Sequence, residues 1–386
     1  MIIMVDMDYM RRLTGLQEKM EEDGLDVVVY GSGQNFQYLT GLLVEWRRGV
    51  DLQYPETNIF VPKEGAPIMT LSAAASGYAE ECWIDDVRPL ERGADYKEVV
   101  SSVASDLDWS EGRVAVGDHV WGSTWIEIAR SFGGAKFRKG EHLTDHLRMI
   151  KEPGEIELLR NVAKLTDDVM AKIISGIKEG DTQKGLQIDI EATSRKMGAK
   201  DISFGPTAGF VKSGSEVSEN PFTYPRDEGL VQGASIAFDI GFVMDGYCSD
   251  WGRSVYWGPA NDEVRRGYEA LMGAVVETVD KMYPGSMRVN DLFPSIEAAL
   301  DRDGFGDYLR ARLKTGNVGH QIGIEVHEPP WLRPENNDFL KPGMVMCLEP
   351  KLWHAGEYYL RVEDMVLITN EGAEFLTNYD RKQFQL

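Results

Sequence analysis

A chain of 386 residues with 42% hydrophobic and 10% aromatic side chains exceeds one typical domain and has enough apolar material for two sizeable cores. Its formal charge of −22 would repel duplex nucleic acid and anionic membranes, so neither is expected as a partner. No run reaches the roughly 18–20 apolar residues that a membrane-crossing helix needs. In MIIMVDMDYMRR the charges follow a very short apolar start, so no signal peptide is expected and the chain is read as soluble and cytoplasmic. Three cysteines without a CxxC spacing argue against structural disulfides and against structural zinc.

Residues 1–150 alternate helical and strand-like segments. Met7–Asp23 has helical periodicity, and the apolar run Asp26–Tyr30 ends on a glycine, as a short strand does. Further strands are predicted at Thr57–Val61, Pro67–Leu71 and Val114–Gly117, with helices near 96–106 and 122–132. This pattern predicts an α/β domain. A cationic, aromatic loop at Glu45-Trp46-Arg47-Arg48 interrupts it, either a solvated surface loop or one whose Arg47 selects a small anionic ligand. The boundary falls at Glu152-Pro153-Gly154, where a long amphipathic helix begins, so residues 151–386 form a second domain.

The second domain mixes helices, notably Glu263–Met282 and Val289–Asp301, with antiparallel hairpins, and is read as α+β. In FDIGFVMDGYCSDWGRSVYW, Asp245-Gly246 forms the turn of a hairpin, Met244 pairs with Tyr247, and Gly241 then pairs with Asp250. Period-two alternation puts Asp239 and Asp250 on one face as diagonal neighbours. Two facing carboxylates repel, more so out of water, and a dication between them relieves the repulsion. Met344–Trp353 and Tyr358–Thr369 are predicted as two strands joined by His354-Ala-Gly-Glu357, carrying Glu349 and Glu363. His320 comes from GNVGHQIGIEVHEPP, where flanking glycines let the backbone bend toward a ligand. Four carboxylates carry about four negative charges, enough to balance two divalent cations. With one imidazole this is a hard, oxygen-rich set that suits Mn(II), Co(II), Fe(II) or Mg(II) better than structural zinc. Carboxylates among so many apolar neighbours are costly unless paired or metal-bound. Cys248 and Cys347 each lie two residues from a ligand and share its face, either as small core fillers or as redox-sensitive neighbours of the metals.

These motifs resemble the pita-bread metallopeptidase family, which includes methionine aminopeptidases, prolidases, aminopeptidase P and creatinase. The order is that of the family ligands: Asp239, Asp250 eleven residues later, His320, Glu349 and Glu363. GHQIGIEVHEPP, PGMVMCLEP and LRVEDMVLITNEGAEFLT resemble its signature segments, and the front of the chain resembles the N-terminal domain of the prolidase and creatinase branch. The resemblance implies an α+β pita-bread catalytic domain at 151–386 preceded by an α/β creatinase-type domain at 1–150. It also implies two divalent metal ions per subunit, with Mn, Co or Fe favoured over Zn, and a homodimer. Peptide cleavage by a metal-bridging hydroxide is implied too, with Glu349 as general base or proton shuttle.

Two further family elements are present. His327, seven residues after His320, would hydrogen-bond the substrate carbonyl. Arg361, two before Glu363, would hold that ligand or grip a substrate carboxylate. Two departures stand against them. Phe222 occupies the place of a histidine that in these peptidases binds substrate and moves protons, and Trp251-Gly252 replaces a small apolar residue and a threonine. Tyr224 is a candidate substitute for the lost histidine or a packing residue, and Phe222, Tyr224 and Trp251 are placed at the substrate.

The primary expectation is therefore a di-metal hydrolase of the Xaa-Pro dipeptidase or aminopeptidase P type, acting on short peptides. The alternative is a metal-dependent amidohydrolase or lyase acting on a non-peptide small molecule in a remodelled pocket. Creatinase is a poorer guide because it works without metal. A non-catalytic binding module is disfavoured, since such relatives commonly lose ligands.

Overall fold

The computed structural model describes residues 7–47, 56–107, 111–214 and 224–386. They fall into two compact units that meet in sequence between Arg148 and Met149.

In the first unit the described strands are β1 (Val27–Gly31), β2 (Asn58–Pro62), β3 (Ile68–Leu71), β4 (Asp86–Pro89), β5 (Arg113–Gly117) and β6 (Lys136–Lys139), in the order β4-β3-β2-β1-β5-β6. The sheet is mixed: β1 runs antiparallel to β2 and parallel to β5. The helices Tyr96–Leu107 and Gly122–Ser131 supply Val100, Val103 and Ile128, and Phe132 just after the second joins them, in a core shared with Val27, Val29, Phe60 and Val114. Burying such side chains is worth about 1.5–3 kcal/mol each. The amphipathic helix Tyr9–Glu22 starts where the Asp8 carboxylate accepts the Arg11 N–H. The sequence-predicted strands at 57–61, 67–71 and 114–117 and the helices at 96–106 and 122–132 are found within a residue or two. β4 and β6 went unpredicted because they are short and lack a clean apolar period.

The second unit carries β7 (Asp201–Ile202), β8 (Thr207–Lys212), β9 (Ala234–Ile240), β10 (Phe242–Met244), β11 (Tyr247–Cys248), β12 (Trp251–Trp257), β13 (Gly319–Gln321), β14 (Val345–Leu348), β15 (Lys351–His354), β16 (Tyr358–Ile368) and β17 (Ala373–Phe375). The main sheet runs β13-β14-β16-β12-β9-β8, with β15 and β17 also paired to β16. Its first long helix, Pro153–Ser175, opens on a capping box between Glu152 and Glu155 with proline in the first turn.

One face of this sheet packs on helices. Met344, Met346 and Leu348 of and before β14, and Tyr358, Leu360, Val362, Val366 and Ile368 of β16, join Leu271 and Val275 of helix Asp262–Asp280 and Ile296 and Leu300 of helix Leu292–Asp303. Ala234, Ile236, Phe238 and Ile240 of β9, with Trp251 and Val255 of β12, pack on Val162, Val169 and Ile173 of the first long helix. Because side chains alternate, the intervening residues Asp239, Gly252, Cys347, Arg361 and Glu363 face the other side.

One predicted strand is corrected. Met344–Trp353 is interrupted at Glu349-Pro350, giving β14 and β15. Proline has no N–H for the ladder, and the Glu349 N–H donates instead to the Val318 carbonyl. The register against β16 survives the break: Leu348 pairs with Asp364, and Lys351 with Arg361.

Candidate metal centre

The β10–β11 hairpin turns at Asp245 and Gly246, both at positive φ (49° and 81°), as a two-residue turn with matching twist requires. Met244 pairs with Tyr247, as read from the sequence, and Val243 with Cys248. The same count continues into β9 and β12, where Ile240 pairs with Trp251 and Asp239 with Gly252. Asp250, two residues before Gly252, therefore shares the face of Asp239. On the neighbouring strand Gly252 stands opposite Glu363, and on the next His320 stands opposite Cys347.

Donor atoms of Asp250, His320, Cys347 and Glu363 lie within 4.8 Å of one another, all on buried residues. Two oxygens there, Asp250 Oδ1 and Glu363 Oε1, are buried with no hydrogen-bond partner among the described residues. Orphaned buried carboxylate oxygens are costly, and a cation satisfies them. Nδ1 of His320 lies 2.9 Å from the Gln321 carbonyl, which can only accept, so that bond requires a proton on Nδ1. This leaves Nε2, 3.4 Å from Asp250 Oδ2, turned into the cluster as a ligand nitrogen should be. Arg253 backs the site: it donates to the Glu363 carbonyl at 2.6 Å and pairs with Asp364 at 2.6 Å, both side chains being fully buried.

Arg361 gathers the remaining carboxylates. Its guanidinium donates to Glu363 Oε2 at 2.7 Å, to Glu349 Oε2 at 3.0 Å and, more closely, to Asp239. Lys351 also contacts Glu349 Oε2 closely. Burial pushes Asp250 and Glu363 well above the usual carboxylate range, and neighbouring carboxylates add to it. Burial acts the same way on Glu349, but Lys351, Arg361 and His320 outweigh it and hold that carboxyl down at about 2. Two dications would lower the first two as well.

His327 stands beside the cluster, its ring 4.4 Å from that of His320 and nearly perpendicular to it, with Trp331 5.4 Å from it on another side. Burial, and then the adjacent His320, lower its pKa below 6.5, favouring a neutral imidazole.

The expected substrate contacts fare differently. Trp251 is corrected: its side chain is wholly buried on the helix face, donating to Asp167 at 3.1 Å with its ring edge-on to Tyr379 at 5.3 Å. The alternation that brings Gly252 into the site sends its neighbour away. Tyr224 takes the packing alternative rather than a place at the substrate: its hydroxyl donates to the Gly229 carbonyl and its ring meets Phe210 at 5.4 Å. Arg47 lies in the first unit, its guanidinium 4.4 Å over the Trp46 ring. Phe222 and Arg48 lie outside the described residues. Lys351 was missed, although its spacing of two from Glu349 was the available signal. Cys347, noted as sharing the face of Glu349, enters the donor cluster itself, while Cys248 turns its thiol to the Ile324 carbonyl.

A face of carboxylates and one imidazole on a helix-backed sheet is the donor set of a divalent-metal site. Residues 157–370 match Metallopeptidase family M24, and residues 12–150 match the Creatinase/Prolidase N-terminal domain. The chain belongs to metallopeptidase family M24, with a pita-bread catalytic domain preceded by a creatinase-type N-terminal domain. The protein named "Putative dipeptidase YkvY" of Bacillus subtilis (strain 168) is 28% identical over 374 residues, covering 96% of this chain and 99% of that one. An uncharacterized peptidase of Staphylococcus aureus (strain bovine RF122 / ET3-1) is 31% identical over 264 residues, covering 68% of this chain and 72% of that one. The crystal structure of a prolidase from Thermococcus sibiricus superposes with a TM-score of 0.83 at 26% identity, covering 99% of this chain and 100% of that one. Family membership implies divalent metal binding, and the donor set fits it.

Proposed function

We propose that this protein hydrolyses short peptides, Xaa-Pro dipeptides foremost, at a centre of two divalent cations held by Asp239, Asp250, His320, Glu349 and Glu363. The observation that carries this reading is the pair of orphaned buried oxygens on Asp250 and Glu363 beside the His320 imidazole, on the face that also bears Asp239. When bound, the cations supply Lewis-acid polarisation of the scissile carbonyl and acidify the attacking water. Glu349 takes the proton of that water and passes it to the leaving nitrogen as the C–N bond breaks. Neutral His327 donates a hydrogen bond to the substrate carbonyl oxygen as charge grows there. Arg361 holds Asp239, Glu349 and Glu363 at their places on the sheet. Mn, Co or Fe is the proposed metal, on the hardness of the donor set. A cytoplasmic homodimer with domains at 1–150 and 151–386 completes the proposal.

The test is turnover of a panel of Xaa-Pro dipeptides and tripeptides by protein loaded with Mn(II) or Co(II), with chelated protein as control. Metal-dependent release of proline is expected, and dipeptide preference would separate the dipeptidase from the aminopeptidase. The sequence observation of Phe222 in place of the family histidine favours a second reading, a small non-peptide amide or related molecule. Silence across the panel with two metals bound per chain would overturn the first reading in favour of the second.

A further inference from the structure

A cavity of about 750 Å³ opens beside Glu349 within the second unit, lined by Arg312, Lys314, Asn317, Glu349, Lys351 and Trp353 among others. Three cations converge there in a chain whose formal charge is −22. The one lining carboxylate, Glu349, belongs to the metal centre, so beyond the metals the cavity presents positive charge.

Lys351 is set apart from the two cations at the rim. Arg312 and Lys314 are exposed, whereas the Lys351 side chain is 11% exposed. Its place is fixed by register: it follows Glu349 by two residues and faces Arg361 across β15 and β16. Arg361 is committed to three carboxylates. Among the described residues the ion pair of Lys351 is with Glu349 alone. An ammonium carries three donors, so Lys351 has capacity for a further acceptor. Trp353, next on the same strand face, adds an aromatic wall to the cavity.

We propose that this cavity recognises a second anionic group on the substrate, a carboxylate separated from the scissile bond by a short carbon chain, and that Lys351 is the specificity-determining residue. The acidic side chain of a dipeptide has this chemistry. The inference rests on the hydrolase reading of the same centre, but it concerns binding and can be measured without turnover.

The experiment is calorimetric titration of Mn(II)-loaded protein with glutarate and with glutaramate, its monoamide, which share one carboxylate and differ in the charge of the other end. The wild type is expected to bind glutarate about tenfold more tightly, a preference that shrinks as salt is raised. Lys351→Gln is expected to lose most of that preference with manganese content unchanged, and Lys351→Arg to keep it. Equal affinities in the wild type, or an undiminished preference in a folded, metal-replete Lys351→Gln, would overturn the proposal. Should Lys351→Gln not fold, loss of the preference in Arg312→Gln/Lys314→Gln supports a cationic cavity, and its full retention there contradicts it. Failure on the Xaa-Pro panel alongside an intact glutarate preference would count against the peptide substrate alone.

Discussion

Lys351 and Arg361 are register partners across β15 and β16, and both cations reach the same Glu349 oxygen. The shared face of the sheet thus carries cations interleaved with the carboxylates. Arg361 is 8% exposed, and its removal leaves Asp239, Glu349 and Glu363 facing one another without that countercharge. Stripping one partner from such a buried arrangement costs about 3–5 kcal/mol. Arg361→Met is therefore expected to lower Tm strongly in chelated protein and much less when Mn(II) is saturating, because the metals then supply the missing charge. Thermal denaturation with and without chelator checks this, and an equal loss in both conditions would contradict it.

Gly252 stands opposite Glu363, and its lack of a side chain is what lets Arg361 lie across the site. A Cβ there would stand 2.7 Å from Arg361 Nε and 2.9 Å from Glu363 Cβ. Gly252→Ala must push the guanidinium or the ligand strand aside, an overpacking worth about 1–3 kcal/mol. Reduced metal content and turnover lowered by about tenfold or more are expected, since roughly 1.4 kcal/mol is tenfold in rate. Metal analysis alongside turnover decides it: full metal occupancy with unchanged turnover would show that the face tolerates a methyl group.

The legibility of this molecule from its sequence follows period-two alternation. Asp239 and Asp250 could be placed on one face because strand periodicity and the Asp245-Gly246 turn set their register, whereas Glu349 and Glu363 could only be assigned to two other strands and were joined to the aspartates by the family order. The same rule, applied to Trp251, would have sent it to the helix face, where the structure puts it. There the departure from the family pattern outweighed the geometry. For Tyr224 the packing alternative was open from the sequence, but its partner, the Gly229 carbonyl, was not legible because it lies within a loop that has no period. Lys351 was legible by the same spacing of two from Glu349 but was passed over, because Pro350 breaks the strand without breaking the register that carries it to the site face. The short strands β4 and β6 have no apolar run to announce them and exist through pairing with neighbours.

Lys151 and Glu328 form an ion pair at 2.9 Å with side chains 1% and 2% exposed. The other Glu328 oxygen accepts the Glu325 N–H at 3.2 Å, so the pair pins the segment bearing His327. Lys151→Met leaves the Glu328 carboxylate buried without that cation and is expected to cost about 3–5 kcal/mol. Lys151→Met/Glu328→Leu removes the stranded charge and is expected to recover a large part of it. Denaturant unfolding of the three proteins tests the pair, and a double variant no more stable than Lys151→Met would show that the charge was not the cause.

Asp118, in the unit that does not carry the candidate metal ligands, offers a pH-dependent signature. Its carboxylate takes the Asn35 amide at 2.6 Å and the Phe36 N–H at 2.9 Å. Burial raises its pKa from 3.8 to about 6, against the lowering effect of those two hydrogen bonds. The folded protein therefore holds this proton more tightly than the unfolded chain. The resulting stabilisation is fully present below about pH 3.8 and is lost as the pH rises through about 6. The residue as a whole is partly exposed, which keeps the effect near the low end, on the order of 1 kcal/mol. Asp118→Asn retains an acceptor oxygen and tolerates the positive φ of 57° at this position. The variant is expected to gain relative to the wild type as the pH rises from 4.5, with the difference growing mainly up to about pH 6 and levelling off above it. Parallel melts across that range measure it, and a constant difference between the two proteins would show that Asp118 titrates normally.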